Sequence, residues 1–221
     1  MPTWCSLYFQ NSVSPIMEQL IMFHDHTMMI MIMVMVLVGY MLMSSLMSMI
    51  YNRILFQSHE LESIWTLIPA VFLLFIAFPS LRVLYLMEEI DDPELSIKVM
   101  GHQWYWSYEY GDVMNSMFDS YMISEDDKPL FRLLNVDNSL MLPYLTKIRM
   151  IISSVDVIHS WTLPSVGVSV DAIPGRLNQI FLLFNRVGVF TGQCSEICGA
   201  NHSFMPIMVN TVTRSLFLSN L

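Results

Sequence analysis

The chain has 221 residues, of which 54% are hydrophobic and only 13% are charged. This profile excludes an ordinary soluble protein and indicates membrane spans joined to a separate soluble domain. The formal net charge of −9 argues against nucleic-acid binding, because an acidic surface repels polyanions and attracts cationic partners. Three cysteines cannot complete a framework of disulfide pairs.

The N-terminal segment, residues 1–26, is polar and mixed, with Glu18 and Asp25 but no lysine or arginine. A secretory signal needs a basic flank, and a transit peptide is rich in arginine. Because neither pattern is present, we expect the first apolar stretch to remain in the mature protein. Residues 1–26 are expected to lie outside the membrane.

Two uncharged runs, residues 26–52 and 63–81, predict a transmembrane helical hairpin over residues 27–86. A helix rises about 1.5 Å per residue, so about 20 residues cross a hydrocarbon core of about 30 Å. Apolar side chains occupy every face of the first run, which excludes a half-exposed soluble helix. We predict spans at about residues 27–48 and 63–84.

The short loop between the spans places both termini on the same side of the membrane. Arg53 lies in this loop and favours its location on the cytoplasm-like side. The larger C-terminal part of the chain is therefore expected on the outer side, together with the N-terminal segment.

Beyond residue 87 the hydrophobic period changes from helical to alternating, which predicts an all-β domain over residues 87–221. A charged segment that contains a proline, residues 88–94, marks the boundary. Residues 103–110 alternate strictly, with four aromatic residues on one face. Short strands separated by turn signals predict a β-sandwich or barrel. The further β-rich runs are 131–136, 147–157, 178–186 and 207–213.

The loop 192–206 contains two cysteines, a histidine and a methionine spaced C-x3-C-x3-H-x2-M. Thiolate and thioether are soft ligands that suit copper, and imidazole suits copper as well. A second imidazole has to come from elsewhere, and His159 follows a β-branched run upstream of the loop. One early histidine and a late ligand loop is the chain order of copper β-sandwiches.

A blue-copper site with one metal ion needs one cysteine, two histidines and a weak axial methionine. The second cysteine therefore indicates a dinuclear centre in which two thiolates bridge two copper ions. Each histidine would cap one ion, and the methionine and a backbone carbonyl would make weak axial bonds. The predicted ligands are His159, Cys194, Glu196 through its carbonyl, Cys198, His202 and Met205.

Two other interpretations of the same residues stay open. A disulfide between the two cysteines of the loop would leave both histidines and the methionine unexplained. A zinc ion would accept two cysteines and two histidines, although methionine is a poor zinc ligand. The remaining histidines, His24, His26, His59 and His102, are not assigned as ligands.

Three motifs, residues 101–110, 171–176 and 192–206, together with the hairpin, resemble the mitochondrial cytochrome c oxidase subunit 2 family. The resemblance covers nearly the whole chain and implies a cupredoxin-like Greek-key domain in the intermembrane space, anchored in the mitochondrial inner membrane. The implied partners are cytochrome c, the haem-bearing catalytic subunit 1, other oxidase subunits and the lipid bilayer. The implied function is to pass single electrons from cytochrome c through the copper centre to haem, where oxygen is reduced to water with proton pumping.

The resemblance also implies roles for individual residues. Glu196 would reach a magnesium ion shared with the catalytic subunit, and Trp104 would receive the electron. Glu62 matches a proton-uptake carboxylate, although a glutamate at a helix start is also favoured by the helix dipole. Acidic residues would dock the basic cytochrome c, and the candidates are Glu109, Asp112, Asp119, Asp137 and Asp156. Departures from the family pattern at Val155, Ser139 and Val187 touch no predicted ligand.

Three rival classes are weighed against this prediction. A soluble copper reductase, such as a nitrous oxide reductase, lacks the hairpin. A quinol oxidase subunit lacks the copper ligands. A membrane-anchored copper chaperone needs exposed, exchangeable ligands and has no use for an aromatic strand beside them.

Overall fold

A computed structural model describes residues 5–50, 52, 54, 56–89, 92–111, 117–124 and 131–220. It divides into two compact units, one formed by the chain up to Glu18 and from Met87 onward, the other by Gln19–Leu86. The helices are α1 (Pro15–Met47), α2 (His59–Glu88) and α3 (Arg214–Ser219). The strands are β1 (Leu95–His102), β2 (Tyr105–Tyr110), β3 (Met117–Ser120), β4 (Leu140–Pro143), β5 (Ile148–Ser154), β6 (His159–Leu163), β7 (Val168–Ala172), β8 (Asn178–Leu182), β9 (Gly188–Cys194) and β10 (Pro206–Val212).

Helix α1 begins at Pro15, well before the span predicted from residue 27. The Ser14 Oγ atom accepts a hydrogen bond from the Met17 backbone N–H at 3.0 Å and so caps the first turn. Proline at the first helical position loses no hydrogen bond, because that N–H has no partner within the helix. The Ser-Pro pair was the overlooked signal for this helix start.

Both α1 and α2 are long and apolar enough to cross a membrane. Many of their large apolar side chains are exposed, including Leu37, Leu73 and Phe78, as expected of helices that need lipid or partner subunits around them. Arg53, which supported the predicted orientation, lies outside the described residues.

A polar contact joins α1 to α2 at a proline. Pro79 lies inside α2 and has no N–H to donate to the Phe75 carbonyl one turn earlier. The Nε2 atom of His26 in α1 lies 3.1 Å from that carbonyl oxygen, so the histidine replaces the missing donor. This satisfies a backbone group that an apolar environment would otherwise leave unpaired.

The β unit contains two five-stranded sheets, ordered β3-β2-β1-β5-β8 and β4-β10-β9-β6-β7. The β1–β5 and β4–β10 pairs are parallel, and the other pairs are antiparallel. Trp106, Tyr108 and Trp161 are among the largest fully buried side chains. Of the four aromatic residues predicted to share one face of residues 103–110, Trp106, Tyr108 and Tyr110 are buried. The fourth, Trp104, precedes the strand and is half-buried.

Residues 131–136 do not form the predicted strand. A turn occupies this segment, with the Leu134 N–H donating to the Phe131 carbonyl and Leu133 at a φ of 60°. A left-handed residue interrupts strand geometry, so Val136 makes an isolated bridge to Met122. The runs predicted at 147–157, 178–186 and 207–213 correspond to β5, β8 and β10.

Candidate metal centre

Two adjacent strands bring the first two candidate ligands together. His159 begins β6 and Cys194 ends β9, and the two strands pair so that Trp161 lies opposite Cys194. At Gly192 a Cβ atom would stand 1.9 Å from the Thr162 carbonyl oxygen, so only glycine allows this approach of the strands. The close pairing fixes where Cys194 emerges into the loop.

The loop after β9 folds back so that its soft atoms converge. The Cys194 Sγ lies 3.3 Å from the Glu196 carbonyl oxygen, and the Cys198 Sγ lies 3.4 Å from the His202 Nδ1. The Met205 Sδ is 3.5 Å from the Cys198 Sγ. Every predicted ligand therefore has a donor atom within this cluster or beside one of its members.

Three of these residues form the centre of the cluster. The ligand atoms of His159, Cys194 and Cys198 lie within 4.8 Å of one another, and all three residues are buried. Both cysteines are free thiols. The structure thus contains the dithiol of the metal interpretation and not the disulfide.

The imidazole of His159 is oriented for a metal ion. Its Nε2 atom lies 2.9 Å from Asp156 Oδ1, and because a carboxylate only accepts, Nε2 carries the proton. In the neutral imidazole the Nδ1 atom is then an unprotonated acceptor, and it is buried beside the cysteine thiols with no hydrogen bond of normal geometry. A bare buried nitrogen beside two thiols fits a bound cation, which would supply the missing interaction.

The acid–base properties of the two thiols also favour a bound metal ion. Burial favours the neutral thiol at Cys194, but His159 and the backbone groups of Ser160 and Glu196 outweigh this and lower its pKa. Burial and the neighbouring Cys194 raise the pKa of the Cys198 thiol to about 12. One thiolate forms readily, whereas two adjacent thiolates require a cation between them. The donor set therefore fits soft, positively charged metal ions.

Burial acts on the imidazole and the carboxylate in opposite directions. It would lower the pKa of His159, but Cys194 and Asp156 outweigh it, so the pKa is raised. For Asp156 burial would raise the pKa, yet hydrogen bonds from His159, Val157 and Gln103 lower it. The carboxylate therefore stays ionised and continues to accept the hydrogen bond from the His159 Nε2–H.

Trp104 lies against the ligand loop. Gly199 has a φ of +131°, and a Cβ atom on it would stand 3.0 Å from the Trp104 Cζ2. The glycine therefore allows the indole to approach the residue that follows Cys198. Two residues further along the chain, in strand β2, the Trp106 Nε1–H donates to the Met205 carbonyl at 3.3 Å.

The predicted docking acids differ in their surroundings. Glu109 is paired with Lys98 at 3.1 Å, and Asp137 Oδ1 accepts hydrogen bonds from the backbone N–H groups of Tyr121 and Asn138. Asp119 is half-buried on β3. Asp112 lies outside the part of the chain that the structure describes.

The other two residues with predicted carboxylate roles are Glu62 and Glu196. Glu62 is in the first turn of α2, with its Oε2 3.6 Å from the His59 Nδ1. Glu196 contributes its carbonyl to the cluster side and is itself exposed. The sequence had not indicated Gln103 and Gly199, whose roles depend on contacts across the two sheets. A carboxylate three residues before a ligand histidine was the available signal for Asp156.

Fold and site together define a cupredoxin-like domain joined to two membrane-type helices. Residues 95–212 match the family model described as cytochrome C oxidase subunit II, periplasmic domain. Residues 2–83 match the model of the transmembrane domain of the same subunit. The chain therefore belongs to the cytochrome c oxidase subunit II family and is a subunit of a haem–copper terminal oxidase, as the sequence predicted.

Individual relatives agree with the family match. Cytochrome c oxidase subunit 2 of Periplaneta americana is 55% identical over 221 residues, with 99% of this chain and 97% of the relative covered. The same subunit of Choristoneura rosaceana is 54% identical over 221 residues, with the same coverage. The crystal structure of the periplasmic domain of subunit II from Bradyrhizobium japonicum is 44% identical, covers 59% of this chain and 93% of that one, and has a TM-score of 0.57.

Proposed function

We propose that this chain receives single electrons from reduced cytochrome c at a dinuclear copper centre. It passes them to haem in catalytic subunit 1, where oxygen is reduced to water with proton pumping. The observation that carries the proposal is the convergence of two thiols on a bare, buried imidazole nitrogen. No other group of three histidine, cysteine or acidic side chains that could hold a metal occurs among the described residues.

The ligands would be His159, Cys194, the Glu196 carbonyl, Cys198, His202 and Met205. Two copper ions held by these residues would supply a one-electron centre. The chain holds the donors on paired strands and buries His159 and Met205 almost completely, so water is kept from the soft ligands. A preformed site of this kind needs little rearrangement when its charge changes.

Metal stoichiometry and type are tested by the spin resonance spectrum of the oxidised oxidase that contains this chain. We expect a seven-line hyperfine pattern and two coppers in this subunit. A four-line spectrum of a single copper would refute the dinuclear centre. The whole chain is the proper sample, because residues before Pro15 hydrogen-bond to the β unit.

Trp104 is proposed as the point at which the electron arrives. The indole is half-buried and lies against Gly199. Gly199 is the residue that follows the proposed ligand Cys198. Trp104→Phe should slow electron uptake from cytochrome c at least tenfold and leave the copper content unchanged. Trp65→Phe, on the separate helical unit, serves as the matched control. Loss of copper in Trp104→Phe would show instead that the indole is structural.

Acidic side chains are proposed to attract the basic cytochrome c, with Asp119 the clearest candidate. Steering by exposed charges weakens with salt, since the Debye length falls to about 8 Å at physiological ionic strength. Glu109, Asp137 and Asp156 remain in the proposal, although each already has a partner within the chain. Asp112 is proposed from the sequence alone.

Glu196 is proposed to link copper to magnesium at the boundary with the catalytic subunit. Its carbonyl faces Cys194, while the residue is exposed, so its carboxylate is free to reach a hard cation. Glu196→Gln should weaken magnesium binding and leave the copper spectrum in place. We also propose Glu62 as a proton-uptake group. The proposed location is the mitochondrial inner membrane, with both termini and the copper domain in the intermembrane space.

A further inference from the structure

The turn that carries Trp104 is hydrogen-bonded to both ligand-bearing segments. The Gln103 backbone N–H donates to Asp156 Oδ2 at 2.7 Å, and the Gln103 Nε2 donates to the Cys198 carbonyl at 2.8 Å. This turn joins β1 to β2 in one sheet, whereas His159 and Cys194 lie on strands of the other sheet. Gln103 therefore ties the two sheets together at the metal site.

Asp156 completes the connection to the imidazole. Its Oδ1 atom lies 2.9 Å from the His159 Nε2 and 2.6 Å from the Val157 backbone nitrogen, while Oδ2 accepts from Gln103. Its side chain is 31% exposed. The Ser154 Oγ also lies 3.3 Å from Oδ1. A carboxylate held by all these contacts has little freedom to swing toward a partner protein.

The same turn also fixes the indole. Trp104 directly follows Gln103, and Gly199 directly follows Cys198. A Cβ atom on Gly199 would meet both the Trp104 ring at 3.0 Å and the Gln103 Nε2 at 3.1 Å. A change in the Gln103 side chain would thus alter the position of the indole and of a ligand loop together.

We propose that Gln103 and Asp156 are positioning residues that form one hydrogen-bonded bracket, His159–Asp156–Gln103–Cys198, around the metal centre. The bracket holds a histidine ligand, a cysteine ligand and the indole in fixed mutual positions. Asp156 acts through His159 and not mainly as a docking charge. This inference rests on the proposed function and extends it to residues that touch no metal.

Three variants of the intact oxidase separate positioning from docking. Gln103→Met keeps the length of the side chain but removes the amide donor and introduces no charge. Asp156→Asn has one acceptor oxygen, so it cannot serve both the His159 Nε2–H and the Gln103 N–H. Asp119→Asn removes a charge from the same unit outside the bracket.

The readouts are copper retention against a chelator, the spin resonance spectrum, and the salt dependence of the reaction with cytochrome c. Loss of a group that supports a metal ligand typically weakens metal binding about 10- to 100-fold. We expect Gln103→Met and Asp156→Asn to lose copper at about 10-fold lower chelator concentration and to change the hyperfine splitting. Asp119→Asn should change the salt dependence alone.

Two results would overturn the bracket. One is an Asp156→Asn oxidase with wild-type copper retention and spectrum and an altered salt dependence, which assigns Asp156 to docking. The other is a Gln103→Met oxidase identical to wild type in copper retention and spectrum. If Asp156→Asn fails to assemble, the uncharged Gln103→Met variant decides the matter. A wild-type oxidase without a dinuclear signal would refute the proposed function itself, independently of these variants.

Discussion

Tyr110 connects a buried hydroxyl to the stability of the β unit. Its Oη donates to the Met141 carbonyl at 2.8 Å and accepts from the Met141 N–H at 3.1 Å. Burial raises its pKa from 10.0 to about 12, and the bond to Met141 only partly opposes this. The neutral hydroxyl is therefore the form that the folded chain accommodates.

The pKa of Tyr110 predicts a loss of stability in alkali. The folded pKa lies above the unfolded one, so the contribution is complete below about pH 10 and disappears as pH rises toward 12. One pKa unit corresponds to about 1.4 kcal/mol, so the wild type should lose about that much at pH 11 through this group. Denaturant unfolding of the full chain in detergent at pH 8 and pH 11 measures the loss.

Tyr110→Phe provides the comparison for this prediction. Phenylalanine cannot ionise, so the variant should lose less stability than the wild type between the two pH values. Its absolute stability at pH 8 is expected to be lower, because the Met141 N–H loses its acceptor. An equal loss in both proteins would mean that Tyr110 does not contribute.

The identity of the candidate ligands followed from residue type and spacing, because soft donors are rare and were grouped in one loop. The partners of those ligands could not be predicted in the same way. Gln103 reaches Cys198 across 95 positions of sequence, and its role depends on which sheet faces which. Asp156 was assigned to docking because an exposed acid in a sequence carries no sign of its hydrogen bonds.

At the scale of single elements, the link between α1 and α2 predicts a measurable coupling. His26→Leu leaves the Phe75 carbonyl without a donor, which should destabilise the hairpin by about 1 kcal/mol. Pro79→Ala restores an N–H to α2 that can bond that carbonyl. The cost of His26→Leu should therefore nearly disappear in the Pro79→Ala background.

A double-mutant cycle on the full chain, unfolded by denaturing detergent, measures this coupling. Thr27→Val is the matched control, because the Thr27 Oγ1 bonds the Phe23 carbonyl within its own helix. The control should show no coupling to Pro79. Additive effects of His26→Leu and Pro79→Ala would contradict the proposed exchange of donors.

The elements themselves were predictable to different degrees. Long apolar runs identified both helices, but the start of α1 depended on a cap at Ser14 that the predicted span had ignored. Strict alternation identified β2, and β-rich composition identified β5, β8 and β10. Residues 131–136 have β-prone composition, yet the left-handed Leu133 turns the chain there, and composition carries no such backbone signal.

For the whole molecule, removal of the proposed metal ions is predicted to lower the stability of the β unit alone. A ligand that binds only the folded state stabilises it by about 4 kcal/mol at a thousandfold excess over its dissociation constant. All candidate ligands lie in the β unit, and α1 and α2 belong mainly to the other unit. Chelation should therefore lower the melting temperature of the β unit and leave helix melting unchanged.

Near-ultraviolet and far-ultraviolet circular dichroism of the full chain separate the two transitions. Trp106 and Trp161 are buried in the β core and report on its packing, whereas the far-ultraviolet signal is dominated by the helices. Cys198→Ser should melt at the same temperature with and without chelator. If the melting temperature of the wild-type β unit did not change on chelation, the proposed metal site would be contradicted.

The anchoring of the N-terminal segment on the β unit sets an order of events during synthesis. Ser14 donates to the Val166 carbonyl across 152 positions, and the Val13 carbonyl accepts from the Asn185 N–H. At about 5 to 20 residues per second, a ribosome needs roughly 8 to 30 seconds to make the intervening chain. Val13 and Ser14 are thus made well before their partners, and they can take their final positions only after residue 185 has been translated.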